Sequence, residues 1–307
     1  MKIFCRKIII NKPELLKEKG PLLLACNHPN SFLDSVILDV LFEQPVWSLT
    51  RGDAFVNKPV KKIFYALKML PVYRTSEGTE NISGNYKTFN DCLEIFREKG
   101  VVQIFSEGIC INEWHLRPLK KGTARLALKT WESNIPLKVL PVGINYSSFR
   151  RFGKNIFINF GEIITKNDIG WEIAEGLRYQ SFNNRLREQL SQLVFEINNA
   201  DKKKQEKLLE RKPAIAERIL LFVPAAIGWL THIPLYLPLK KYVWKKYRHS
   251  DHYDAVLMGL LLITYPFYLL FIVLLLFVFI KSWWVFTLLF IFPFTAWSYT
   301  QLKGQLD

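Results

Sequence analysis

The chain has 307 residues, half of them apolar, with a formal net charge of +15. That length exceeds one small domain, and four scattered cysteines without paired spacing exclude a disulfide scaffold or a cysteine-built metal module. The basic balance points to an anionic partner, either nucleic acid or an acidic membrane surface.

In chain order, the N-terminus "MKIFCRKIIINKPE" has an apolar core interrupted by Arg6 and Lys7, too short for a secretory signal. The globular part is therefore expected in the cytosol, with Cys5, Cys26, Cys92 and Cys110 as reduced thiols. Strand-like runs follow at Phe4–Ile10, Leu22–Cys26, Val46–Thr50, Val101–Phe105, Leu137–Asn145 and Asn155–Phe160. Helical patterns alternate with them near Phe32–Phe42, Lys58–Lys68, Tyr86–Glu98 and Gly122–Trp131. This alternation predicts an α/β fold with a mixed, largely parallel sheet flanked by helices. Trp171–Arg211 reads as one helix ending in the charge-rich "DKKKQEKLLERKP".

The last third differs. Ala255–Ile280 and Ser282–Leu302 carry no formal charge, and each exceeds the roughly 18 residues that suggest a spanning helix. With only Lys281 between them, they predict a C-terminal transmembrane helical hairpin. Ile219–Leu239 is also apolar but contains Pro224, Pro234 and Pro238. Proline removes a helical hydrogen bond and clashes with the preceding turn, so this stretch is expected to break and lie on or re-enter the membrane. The stretch "LKKYVWKKYRHS" holds five basic residues between Lys240 and Arg248, interleaved with aromatics. Basic groups and aromatics beside a span mark an anionic, cytosolic membrane face. The expected organisation is a cytosolic domain over 1–212, an interfacial or re-entrant segment over 213–239, and a basic stretch with two transmembrane helices over 240–307. With the basic cluster at a membrane boundary and no stacking motif in the soluble part, nucleic-acid binding is the weakest reading.

In open α/β sheets, function gathers where strands end. After Leu22–Cys26 comes "NHPNSFLD". A turn after His28 into a helix near Ser31 puts Asp34 on the first helical turn, facing back toward the imidazole. A carboxylate so placed sets the tautomer of a general base. The same residues also suit a helix cap and a surface contact, with Asn30 or Ser31 capping. No Gly-x-Ser-x-Gly elbow supplies a nucleophile. The base would then act directly, taking a proton from a substrate hydroxyl as that oxygen attacks an acyl carbonyl. "LPVYR", "FSEG" and "LPVGINY" also follow apolar runs, and a basic run precedes the helix near Gly122. "LPVYR" ends in Arg74, whose planar fork suits phosphate. "FSEG" places Glu107 beside Gly108, where backbone can approach a ligand. "RPLKKG" brings Arg117 and Lys120 to a helix start, an anion site. No metal or other cofactor is expected.

"NHPNSFLD", "LPVYR", "FSEG…RPLKKGTARLAL" and "LPVGINY", in that order over about residues 20–165, resemble the four blocks of the glycerolipid acyltransferase family, which includes lysophosphatidic acid and glycerol-3-phosphate acyltransferases. The resemblance implies acyl transfer from an acyl thioester, on CoA or acyl carrier protein, to a glycerophosphate or lysophospholipid hydroxyl. It implies His28 as general base and Asp34 as its orienting partner, with Arg74, Glu107 and Gly108 around the acceptor and Pro141 shaping the acyl side. The first block has five residues between His28 and Asp34 where the commonest form has four. The third continues "EGICINEWHLR" without the family's early arginine, a place Arg117 or Lys120 would fill. Backbone amides near Gly108 would stabilise the oxyanion. Two other classes compete: a non-catalytic adaptor that binds anionic lipid, and a hydrolase in which His28 activates water.

Overall fold

The computed structural model describes residues 4–73 and 82–306. Seven strands, β1 (Cys5–Ile10), β2 (Leu22–Cys26), β3 (Val46–Arg51), β4 (Met69–Val72), β5 (Val101–Phe105), β6 (Lys138–Tyr146) and β7 (Lys154–Phe160), form one sheet in the order β1-β7-β6-β2-β5-β3-β4. All neighbours are parallel except the β6–β7 pair. The fold is therefore the mixed, largely parallel sheet that the alternating pattern predicts.

β2 lies at the centre, hydrogen-bonded to β5 on one side and β6 on the other. Its five residues are all buried, because successive side chains point to opposite covered faces. Leu23 and Ala25 pack on one face with Phe96, Trp131, Phe182 and Leu186. These come from helices α3 (Ile82–Arg97), α4 (Lys121–Glu132) and α5 (Glu175–Leu193). Leu22, Leu24 and Cys26 pack on the other with Leu33, Ile37 and Leu38 of α1 (Phe32–Leu41). Helix α2 (Lys58–Ala66) connects β3 to β4 and buries none of its residues.

Three elements differ from the sequence reading. β4 is absent from the strand-like runs although "LPVYR" overlaps it; it is four residues long with Pro71 inside, and Pro is tolerated there because β4 is an edge strand. The single helix expected over 171–211 is two, α5 and α6 (Lys202–Leu209). The sheet causes the break: Asn145 and Asn159 both donate to the Leu193 carbonyl, and Asn145 Oδ1 accepts the Phe195 amide. Finally, Pro224, Pro234 and Pro238 do not end their helix. α7 runs unbroken from Ile215 to Tyr247 and takes in most of the basic cluster. It packs on α9 (Leu288–Leu302) and α8 (Tyr253–Ile280).

Three helical stretches, Ile215–Tyr247, Tyr253–Ile280 and Trp283–Leu302, are long and apolar enough to cross a membrane. α7 approaches α9 closely at Gly228, where an added Cβ would lie 2.1 Å from the Thr295 carbonyl oxygen. All three are moored to the sheet domain. Before α7, Arg211 exchanges hydrogen bonds with Gln305, whose side chain also meets Asn155 of β7. Asp254, at the start of α8, pairs with Lys154 of the same strand.

Candidate active site

β2 hands over to the site through Asn27. Its side-chain amide donates to the Ile144 carbonyl at 3.0 Å and its oxygen accepts the Ile144 amide at 2.7 Å, imitating one more rung between β2 and β6. His28 follows. Its backbone amide donates to Glu107 Oε2 at 2.7 Å, and its ring lies flat on Phe105, centroids 3.7 Å apart. Nδ1 donates to Asp34 Oδ2 at 2.8 Å. An ionised carboxylate only accepts, so Nδ1 carries a proton, and in the neutral ring Nε2 presents the lone pair. Among the described residues Nε2 has no hydrogen-bond partner, and the side chain is 16% exposed.

Asp34 is fully buried on the first turn of α1. Oδ2 also accepts the Asn30 amide at 2.8 Å, while Oδ1 accepts the Tyr146 hydroxyl at 2.6 Å. Three donors thus hold the carboxylate. Burial and the neighbouring Asp34 charge push the Tyr146 phenol far up, so it remains a donor. Ser31 stands at the start of α1 but makes no side-chain cap; its hydroxyl pairs with His252 Nδ1 at 2.5 Å. Cys26 is fully buried and its thiol is pushed well up by desolvation, which removes it as a nucleophile.

The third block is knotted by one carboxylate. Glu107 accepts the His28 amide on Oε2 and the Arg117 amide on Oε1 at 2.8 Å. Burial raises its pKa, and these two amides pull it partly back. Gly108 has φ +67°, in the region that favours glycine, and its amide donates to the Phe105 carbonyl.

Residues 7–145 match the family model described as Acyltransferase. Glycerol-3-phosphate O-acyltransferase 2 of Saccharomyces cerevisiae is 28% identical over 202 residues, which is 62% of this chain and 26% of that protein. The chain thus spans about a quarter of that relative's length. The crystal structure of the 1-acyl-sn-glycerophosphate acyltransferase PlsC from Thermotoga maritima aligns over 62% of this chain and 73% of that one, at 13% identity and a TM-score of 0.40. Residues 7–145 thus resemble an acyltransferase domain.

Within this region the residues singled out from sequence fall into three groups. His28 and Asp34 meet directly, and Glu107 lies under them. Each Glu107 oxygen accepts one backbone amide, so its carboxylate ties the His28 loop to Arg117. The Gly108 amide is likewise spent within its turn, so it is not free to serve an oxyanion. Arg117 and Lys120 border the same loop. Arg117 pairs with Glu113, and exposed Lys120 runs its stem over Gly108, where an added Cβ would come within 3.0 Å of it. Pro141 sits apart, buried within β6 opposite Ala25; its carbonyl accepts the Gly161 amide. Arg74 lies outside the described residues. Sequence reasoning gave Tyr146 and Phe105 no role of their own and took Asn30 only as a possible helix cap. Tyr146 reaches Asp34 through a contact 112 residues apart that no local pattern encodes, Asn30 through its backbone amide four residues away, and Phe105 stood in the "FSEG" block without an assigned role.

Proposed function

We propose that the protein moves a fatty acyl group from an acyl thioester, acyl-CoA or acyl carrier protein, to a hydroxyl of a glycerophosphate or lysophospholipid acceptor in glycerolipid synthesis. The observation that carries this reading is the His28–Asp34 pair with Nε2 unengaged at a strand end of an acyltransferase-family domain. Nε2 takes the proton from the acceptor hydroxyl as its oxygen attacks the thioester carbonyl. The tetrahedral intermediate collapses with cleavage of the C–S bond, and the imidazolium returns the proton to the leaving thiolate. Asp34 stabilises the transient positive charge. The acceptor's phosphate is met by Lys120 and Arg117 beside the loop, with Arg74 as the cation expected from the second block.

The same reading makes this an integral membrane enzyme with its catalytic domain, residues 1–212, on the cytosolic face. The apolar helices and the basic, aromatic run Lys240–Arg248 support it. α7 is apolar enough to cross, yet both its flanks are moored to the sheet domain, through Arg211 and through Asp254. That favours an interfacial course for 213–239 rather than a re-entrant one, since the helix does not turn back, with α8 and α9 as the transmembrane hairpin of 240–307.

The test uses the full chain in lipid–detergent micelles with radiolabelled acyl donor and either glycerol-3-phosphate or lysophosphatidic acid. Acylated lipid is the expected product, and His28→Ala is expected to lose about 10²–10⁴-fold in turnover while staying folded. Normal transfer by His28→Ala refutes the base. Free fatty acid in place of acylated lipid indicates a hydrolase, and lipid binding without thiol release indicates an adaptor.

A further inference from the structure

The turn between α7 and α8, together with the first residues of α8 (Ser250–Asp254), is docked on the loop that carries the base. Every residue between His28 and α1 touches it directly or through one intermediary. The Pro29 carbonyl accepts from Asn112 Nδ2 at 2.7 Å, and the Asn112 amide donates to Asp251 Oδ1 at 2.9 Å. Asn30 Nδ2 donates to Asp254 Oδ2 at 2.8 Å. The Ser31 hydroxyl meets His252 Nδ1. Ser31 has φ +52°, a left-handed conformation costly for a residue with a Cβ, and its amide donates to Cys110 Sγ at 2.9 Å. A strained residue persists only where its surroundings fix it, and here the fixing groups come from two other segments.

Asp254 is the centre of this contact. It and Lys154 are both fully buried and ion-paired. Desolvating two charges costs as much as their attraction returns, so such a pair adds little stability compared with apolar residues of the same size. What it does here is geometric. Lys154 Nζ and Asn30 Nδ2 converge on one Asp254 oxygen, and the Asn30 amide points at Asp34 Oδ2, the oxygen that also takes His28 Nδ1. A single line of contacts therefore runs Lys154–Asp254–Asn30–Asp34–His28.

We infer that Asp254 is a positioning residue of the acyltransferase site: acting through Asn30, it sets the angle at which Asp34 meets His28, so that turnover depends on how α7 and α8 are seated on the domain. This rests on the reading of His28 as general base. Membrane-inserted helices and catalytic loop are then one mechanical unit.

The experiment compares three full-length variants with wild type, each checked for folding by thermal unfolding and assayed for acyl transfer over a range of acceptor concentration. Asp254→Leu with Lys154→Met removes the charge pair and the acceptor for Asn30. Asp254→Asn with Lys154→Met removes the charges but keeps a carbonyl for Asn30. Asn30→Ala breaks the link from its other end and leaves the ion pair intact. Because small displacements of a catalytic group cost up to about 10²-fold, the Leu/Met pair and Asn30→Ala are expected to lose about ten- to a hundredfold in kcat. Acceptor KM should stay within about threefold, the signature of a defect in the chemical step alone. The Asn/Met pair is expected to restore kcat to within about threefold of wild type. Should the Leu/Met pair fail to fold, Asn30→Ala decides alone. Wild-type kcat in Asn30→Ala, or equal losses in the Asn/Met and Leu/Met pairs, overturns the inference. His28→Ala is run alongside. If it is inactive while Asn30→Ala is unimpaired, only the positioning role falls; if it is fully active, the base falls and the inference with it.

Discussion

The Tyr146 hydroxyl donates to Asp34 Oδ1 at 2.6 Å, although the two residues are 112 apart in the chain. Each is buried, and each is the other's partner at the end of the sheet. Tyr146→Phe keeps the ring and strands one buried carboxylate oxygen. The expected cost is about 1–3 kcal/mol of stability, seen as a lower Tm, with turnover reduced more than acceptor binding. An unchanged Tm shows that Oδ1 finds another donor.

Asp34→Asn tests the opposite side of the same carboxylate. Asparagine's amide group must face one of the donors now held by the two oxygens, and the tautomer of His28 is no longer dictated. Turnover is expected to fall by about 10²-fold or more with acceptor KM little altered. A rise in KM alone assigns Asp34 to binding.

Glu107→Gln separates bracing from substrate contact. Glutamine has one acceptor oxygen, so either the His28 or the Arg117 amide loses its partner, at about 1–3 kcal/mol. Acceptor KM should hold. The pH dependence has a definite sign. Burial raises the folded-state pKa above the unfolded value, so this group's contribution is full below the ordinary glutamate pKa and is lost as pH rises through the raised one. The stability gap between wild type and Glu107→Gln should therefore be widest in acid and narrow toward neutrality. Chemical denaturation at several pH values measures it, and a gap that widens with pH contradicts the assignment.

Gly228→Ala addresses the helices. The added methyl would meet the Thr295 carbonyl at 2.1 Å and push α7 from α9, at a cost of about 1–3 kcal/mol. Gly259→Ala is the control, since nothing lies within 4 Å of a Cβ there. Thermal unfolding in detergent should show a lower Tm for the first and not for the second.

Much of this was legible before any coordinates. Six strands announced themselves because buried parallel strands are apolar along their length, as Leu22–Cys26 is. "NHPNSFLD" suggested its own geometry because both reactive side chains lie within one turn of chain. What stayed hidden depends on distant partners. The end of α5 is set by Asn145 and Asn159 reaching across from the sheet, invisible in a charge-rich helical pattern. The role of Glu107 turns on which way its carboxylate points, and that follows from the path between Gly108 and Arg117. The Asn30–Asp254 contact joins residues 224 apart. The three prolines of α7 suggested a break that helix packing overrode.

The Glu107 clasp has a further consequence. One of its oxygens holds Arg117, ten residues on, and the other holds His28, so the stretch between is a closed circuit of fixed circumference. Trp114 fastens the same stretch a second time, its indole N–H on the Tyr146 carbonyl at 2.6 Å. An insertion or deletion there adds slack or tension that has nowhere to dissipate, and the first thing it would move is the backbone from which the imidazole hangs.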